Sequence, residues 1–367
     1  MLVLWQQVLG VRIVQPDDNF FSLGGNSMIA AQLFALIERD LSLPAPLSAL
    51  YDAPTPRTLV AALTRSNAPQ DWETLVPINR TGNRIPLFLV HAAEGNVLLY
   101  RELASQLGAD QPVYGLQSAG LDGRSPIDGK FEHVAERYIR EIKKVQPAGP
   151  YMLGGYCLGG TLAMEMAQQL IAGGEKVGLV AMIENFNIRS IEWPLPWHLR
   201  LANRGFLNLY YHLQNMLAAR GASKLKFFTR KLHVEISRAK VSTRVALARA
   251  GRRFRTNEAD GEFHHIKVAD VYDAALAQYN VKPYPGELTV FLTERRLAGF
   301  ADRLGGWGDV AHGGVKLYSL PISPKGTLIE PYVQQLAALL RECLDQAAER
   351  ERHSHTETSS DLTHIWR

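Results

Sequence analysis

A cysteine stands between glycines at two-residue spacing in Gly155-Tyr156-Cys157-Leu158-Gly159, where an apolar run that reads as a strand meets one that reads as a helix. Glycines at those places allow a tight turn that side chains would block. The turn presents Cys157 at a helix N-terminus, where the dipole favours a thiolate and the Leu158 amide can face an oxyanion. That is the chemistry of a nucleophile attacking an acyl carbon. The competing reading is a small buried core residue, which is how Cys343 reads on the apolar face of the last helix. A second oxyanion donor is expected from His91-Ala92-Ala93-Glu94-Gly95-Asn96, whose small residues allow close backbone approach, with Ala92 and Ala93 as candidates. Glu184 closes the apolar run KVGLVAMI, 27 residues beyond Cys157, and is the candidate orienting acid.

The elements that position these residues alternate from residue 85 onward. IPLFLVH, PVYGLQ, YMLGGYC and KVGLVAMI read as buried strands. VLLYRELASQL, HVAERYIREIKKV and LGGTLAMEMAQQLI read as the helices between them, which predicts a parallel sheet with helices on both faces. In that setting G-x-C-x-G is the nucleophile elbow of an α/β-hydrolase with cysteine in the serine position. The alternation breaks over about 190–270 for a helical stretch that reads as a lid. It resumes with ELTVFLT, VKLYSLP and a last helix, EPYVQQLAALLRECL. Upstream, residues 1–64 read as a small helical bundle. SMIAAQLFALIERDL is strongly amphipathic, and TPRTLVAALTRS carries Thr55 as N-cap before Pro56. Its first helix reads as truncated, as in a piece of a longer protein. Residues 65–84 read as a linker, 85–348 as the α/β domain, and 349–367 as a disordered polar tail.

Composition bounds the rest. The 367 residues are 46% hydrophobic and 21% charged, which is ordinary globular usage and excludes collagen-like and wholly disordered classes. The net charge of +4 is unevenly spread. Residues 190–255 hold 14 Lys and Arg against Glu192 and Glu235, so that window carries +12 and the remainder −8. The basic window reads as a solvated face over an apolar pocket, or as a dock for an acidic carrier or anionic chain. No motif supports nucleic-acid binding. Two distant cysteines without C-x-x-C spacing fit neither a disulfide framework nor a zinc site; no metal is expected, and a reducing cytoplasm is. No apolar run approaches the roughly 18 residues of a membrane span, and the start MLVLWQQVLG has no basic n-region, so neither membrane nor signal peptide is expected.

Two stretches carry a family resemblance. DNFFSLGGNS, within about residues 2–64, resembles the attachment loop of peptidyl carrier proteins, which implies 4′-phosphopantetheine on Ser27. IPLFLVHAAEGNVLLYRELA, PYMLGGYCLGGTLAMEMA and YDAALAQYNVKPYPGELTVFLT, within about 76–346, resemble the type I thioesterase domain that ends nonribosomal peptide and polyketide synthases. The resemblance implies release of a carrier-bound acyl or peptidyl thioester, with upstream synthase modules as partners. The family's triad histidine sits in a G-D-H-F-like loop before an E-P-x-V helix. Here Leu320-Pro321-Ile322-Ser323-Pro324-Lys325-Gly326-Thr327 precedes Glu330-Pro331-Tyr332-Val333, so Pro324 falls at the histidine, and Glu184 replaces the usual aspartate.

These departures carry a chemical expectation. A thiol depends less on an adjacent base than a hydroxyl does, so Cys157 can accept an acyl group without that histidine. The acyl-Cys stays activated, whereas water is a poor nucleophile for it without a base. The expected outcome is non-hydrolytic release: cyclisation, or fusion with a second acyl partner, brought by a second acyl carrier protein, through C–O or C–C bond formation. The alternatives are a hydrolytic thioesterase with a relocated histidine and a silent carrier-docking domain. Glu184, His91, His264, His265 and His312 are the candidate bases; His312 precedes a strand at the end remote from the altered loop.

Overall fold

The computed structural model describes residues 1–25, 27–43, 47–65, 74–122, 125–187, 264–294, 302–321 and 326–364. The chain divides into two compact units, one built around Met1–Trp72 and one around Glu73–Ala119, Pro126–Pro196 and Asp270–Arg367. The first is helical: α1 (Leu2–Leu9), α2 (Ser27–Leu41), the single turn α3 (Ala49–Asp52) and α4 (Pro56–Arg65). Trp5, Phe20, Leu33, Ile37, Leu50 and Leu59 are fully buried, and Trp5 meets Phe20 edge-to-face at 5.2 Å. Thr55 caps α4 as its sequence predicts, its hydroxyl accepting the Thr58 amide at 3.2 Å.

In the second unit a seven-stranded sheet runs β1-β3-β2-β4-β5-β6-β7. The strands are β1 (Leu75–Asn79), β2 (Leu87–Val90), β3 (Val113–Leu116), β4 (Tyr151–Tyr156), β5 (Val177–Ile183), β6 (Leu288–Thr293) and β7 (Val315–Leu320). All neighbours pair in parallel except β1 with β3. The helices are α5 (Arg101–Leu107), α6 (Phe131–Val145), α7 (Leu158–Ala172), α8 (His264–Gln278) and α9 (Val333–His364). Chain direction across the sheet reverses after β3, so right-handed crossovers put α5 and α6 on opposite faces. The packing of α5 on α9 and of α6 on α7 follows from that. Phe131, Val134, Ala135, Tyr138 and Ile142 are the buried stripe of α6, at helical spacing. The central strands are buried on both faces, whereas β7, at the edge, is half-exposed. This is the α/β-hydrolase fold.

Two expectations change. Residues 75–79, read as linker, form β1 and pair with β3 in the register Leu75↔Leu116. Only Val76 of this strand is buried and Pro77 interrupts it, so the segment has no alternating pattern to read; the edge position tolerates the missing amide. The polar tail does not begin where α9 stops. The helix continues to His364, through most of 349–367. The basic lid region falls mainly within 188–263, outside the described residues.

Candidate functional site

β2 and β4 lie side by side, and the chain leaves their carboxyl ends toward opposite sides of the sheet. A parallel sheet opens a crevice at such a point. The loop after β2 and the turn after β4 therefore meet there. Cys157 occupies that turn with φ 53° and ψ −128°, a conformation that costs a non-glycine residue about 1–3 kcal/mol. The turn is tight enough that a Cβ on Gly155 would stand 2.2 Å from the Gly159 carbonyl carbon. A Cβ on Gly159 would stand 2.4 Å from the Val90 oxygen and 2.6 Å from that of His91, so only glycine lets α7 start against the end of β2.

Hydrogen bonds between distant parts of the chain hold the strain. The Cys157 amide donates to the Ile183 carbonyl at 2.8 Å. Tyr100, fully buried, donates to the Val90 carbonyl at 2.5 Å and accepts the Tyr156 amide at 2.8 Å, which ties β2 to β4 beneath the turn. The Asn185 amide group donates to the Cys157 carbonyl and, at 2.9 Å, to Thr161 Oγ1. Trp307 Nε1 in turn donates to the Asn185 carbonyl at 3.2 Å. Tyr100, Asn185 and Trp307 escape the sequence reading because nothing in their local pattern marks them.

The loop after β2 turns sharply. Both the Gly95 amide, at 2.9 Å, and His91 Nδ1, at 2.6 Å, meet the Ala92 carbonyl. The Ser118 amide binds the Gly95 carbonyl at 2.8 Å. Among the described residues no acceptor stands opposite the amides of Ala92 and Ala93, although Ala92 is buried. Buried amides are almost always paired, so donors left open beside a strained turn are what an oxyanion site would need. Leu158 contributes the third expected donor: its amide lies by the Cys157 thiol and favours the thiolate.

Electrostatics at the sulfur run against the sequence expectation. Cys157 is solvent-exposed, yet protein crowds its thiol, and that burial pushes the pKa up to about 11. The Leu158 amide opposes the shift; the carboxylates of Glu94, Asp273 and Glu184 add to it. Desolvation and three like charges outweigh one helix terminus. Glu184 directly follows β5 with φ 46° and is buried. Its carboxylate accepts the Thr293 amide at 2.6 Å and faces the Thr293 hydroxyl at 3.3 Å, and its own amide donates to Phe291. It thereby joins the ends of β5 and β6.

The candidate bases are scattered. His91 is fully buried, both ring nitrogens engaged, Nε2 with the Tyr138 hydroxyl at 2.7 Å; burial drives its pKa down to about 4. His312 is exposed and precedes β7. Because β4 to β7 are parallel, it sits at the opposite end of the strands from Cys157, about 20 Å away along six-residue strands. The backbones of His264 and His265 open α8, but their side chains lie outside the described residues, as does Pro324. Ser27 opens α2 after the loop 19–25, in which a Cβ on Gly25 would strike the Phe20 ring at 2.3 Å. A phosphoester on Ser27 would sit at the N-terminus of a fifteen-residue helix, whose dipole favours an anion, so the position suits a phosphopantetheine serine; the Ser27 side chain is outside the described residues.

Residues 1–63 match the phosphopantetheine attachment site family, and residues 85–192 match the thioesterase domain family. The chain is a carrier domain followed by a thioesterase domain. The carrier holds 4′-phosphopantetheine on Ser27, and the thioesterase domain acts on thioesters. A dimodular nonribosomal peptide synthase of Bacillus subtilis is 37% identical over 183 residues, 50% of this chain and 8% of that protein. Malpibaldin synthetase of Mortierella alpina is 37% identical over 184 residues, 50% of this chain and 3% of that protein. Atromentin synthetase of Serpula lacrymans is 32% identical over 210 residues, 54% of this chain and 21% of that protein. The carrier–thioesterase chain thus spans a small part of these relatives. A four-domain nonribosomal peptide synthetase bound to AMP and glycine shares the fold over 93% of this chain and 25% of its own, at TM-score 0.58 and 21% identity. The NocB thioesterase domain, in covalent complex with a fluorophosphonate nocardicin G analog, covers 74% of this chain and 99% of its own, at TM-score 0.51 and 20% identity. Among the described residues no helix is long and apolar enough to cross a membrane, and no cluster of His, Cys, Asp and Glu could hold a metal ion.

Proposed function

We propose that Cys157 takes the acyl chain from the carrier as a thioester and passes it to an acceptor other than water. The pantetheine arm on Ser27 supplies the thioester. The Cys157 sulfur attacks the acyl carbon, a new C–S bond forms, the bond to the arm breaks, and the Cys157 proton ends on the departing sulfur. One thioester replaces another, so the step is close to thermoneutral. The amides of Leu158, Ala92 and Ala93 stabilise the oxyanion that forms on the way.

The observation that carries this reading is the pair of loop amides, met by no acceptor among the described residues, beside a cysteine held at positive φ. The preference for an acceptor other than water rests on electrostatics. Among the described residues the charged groups acting on the thiol are Glu94, Asp273 and Glu184, all carboxylates. A carboxylate is a weak base for water. A neutral amine demands less of it, because it attacks before it loses its proton; a hydroxyl within the chain competes with water through its effective concentration, and an α-carbon flanked by two carbonyls is a stronger acid than water. Glu184, bridged to Thr293, acts as the orienting acid of the β5 end. Upstream modules deliver the chain, and a second carrier would bring the partner in a fusion reaction.

The test loads Ser27 with an acyl-pantetheine chain and follows intact mass and products. The expected result is an acyl adduct on the wild-type thioesterase domain, absent from Cys157→Ala, and a cyclised or joined product. Turnover of Cys157→Ala at the wild-type rate overturns the nucleophile assignment. Free acid as the sole product, with the adduct present, returns the domain to hydrolysis.

A further inference from the structure

His91 stands next to the nucleophile's loop yet is closed to solvent, and its surroundings form a circuit. Its Nδ1 meets the Ala92 carbonyl at 2.6 Å, so Nδ1 carries the proton and Nε2 accepts from the Tyr138 hydroxyl at 2.7 Å. The Tyr272 ring packs against the imidazole, 4.8 Å between centroids. The Tyr272 hydroxyl donates to Ser118 Oγ at 3.1 Å, and the Ser118 amide donates to Gly95 at 2.8 Å. Gly95 closes the circuit by donating to the same Ala92 carbonyl at 2.9 Å.

A planar trans peptide fixes the consequence. The Ala92 carbonyl and the Ala93 amide belong to one peptide unit and point in opposite directions. Two donors gripping the carbonyl therefore aim the Ala93 N–H away from the circuit, where no described acceptor meets it. A carbonyl gripped by only one donor leaves that plane freer to rotate. We infer that His91 and Tyr272 are positioning residues for the oxyanion site, with the imidazole serving as a neutral strut rather than as a base. Tyr272 is the circuit's one contribution from α8, the helix that follows residues 188–263.

This inference rests on acylation at Cys157, and its test separates the two. The full chain is treated with the acetyl thioester of N-acetylcysteamine, and acetylation of Cys157 is followed by intact mass. Alkylation of the same thiol by iodoacetamide is measured in parallel. Alkylation is a displacement at saturated carbon that develops no oxyanion, so it reports the thiol alone. His91→Leu and Tyr272→Phe are expected to slow the maximal acetylation rate tenfold or more, with the half-saturating thioester concentration and the alkylation rate unchanged. His91→Asn, which keeps a donor near the Nδ1 position, is expected to recover most of the rate. Equal acetylation rates in wild type, His91→Leu and Tyr272→Phe overturn the strut, as does a parallel loss of alkylation. Absence of acetylation in the wild type overturns the underlying reading instead.

Discussion

The thiol of Cys157 should behave as a weak acid, and the consequence can be worked out. Its pKa rises from an ordinary 9.0 to about 11, chiefly through burial. At neutral pH a rise of that size cuts the thiolate fraction about a hundredfold. A more basic thiolate is a better nucleophile, with a Brønsted slope of about 0.4–0.5, which recovers roughly eightfold. The net expectation is alkylation by iodoacetamide about tenfold slower than for a free cysteine at pH 7. The rate should climb one decade per pH unit without bending below about pH 10. Intact mass between pH 6.5 and 10 measures it, with Cys157→Ala to subtract labelling at buried Cys343. Glu94→Gln should move the bend toward lower pH, by an amount that shrinks as salt is added, because this exposed carboxylate opposes the thiolate through a screened field. A plateau below pH 8 would refute the reasoning, since it would mean that the helix terminus outweighs burial.

Two further outcomes follow from packing and linkage. Gly159→Ala should abolish acetylation of Cys157 and lower stability by about 1–3 kcal/mol, because the added methyl meets the backbone oxygens of Val90 and His91. Gly173→Ala, whose Cβ would find only contacts at 3.4 Å, should leave acetylation intact; equal behaviour of the two variants would discount the crowding. His91 should make the protein acid-sensitive. Below pH 6.5 the unfolded chain binds a proton that the folded imidazole refuses until about pH 4. Stability is therefore complete above 6.5 and is lost as pH falls through that window, by about 3 kcal/mol. Urea unfolding at pH 7, 5.5 and 4.5 should show this loss in the wild type and its reduction in His91→Asn; an identical loss in both would assign the acid sensitivity elsewhere.

What the sequence reveals and what it hides divide along physical lines. The central strands are buried on both faces and the α6 stripe recurs at helical spacing, so burial writes itself into residue order. The elbow is legible because a strained turn against a strand end excludes side chains at Gly155 and Gly159. β1 is not, since an edge strand with one buried residue and a proline carries no such imprint. Nor are Tyr100, Asn185 and Trp307 legible, because they act across 56, 28 and 122 residues respectively. The thiol's acidity reads wrongly from sequence for a related reason: the helix terminus is local in sequence, whereas Glu94, Asp273 and the burial that oppose it are assembled by the fold.

The raised thiol bears on which reaction the site favours. Exchange between two thioesters carries its proton from one sulfur to the other, so acylation needs no net base and tolerates a reluctant thiol. Hydrolysis is different: attacking water must surrender a proton as the C–O bond forms. His91 is the candidate histidine nearest to Cys157 in sequence, but its Nδ1 proton is committed to Ala92 and its Nε2 lone pair to Tyr138. A ring locked in that way steadies the oxyanion donor and stays out of proton transfer. On the proposed acylation of Cys157, the same bonds that make His91 useful for the first half-reaction would remove it from the second, and the proposed acyl-Cys157 would be left for an acceptor that needs less help than water.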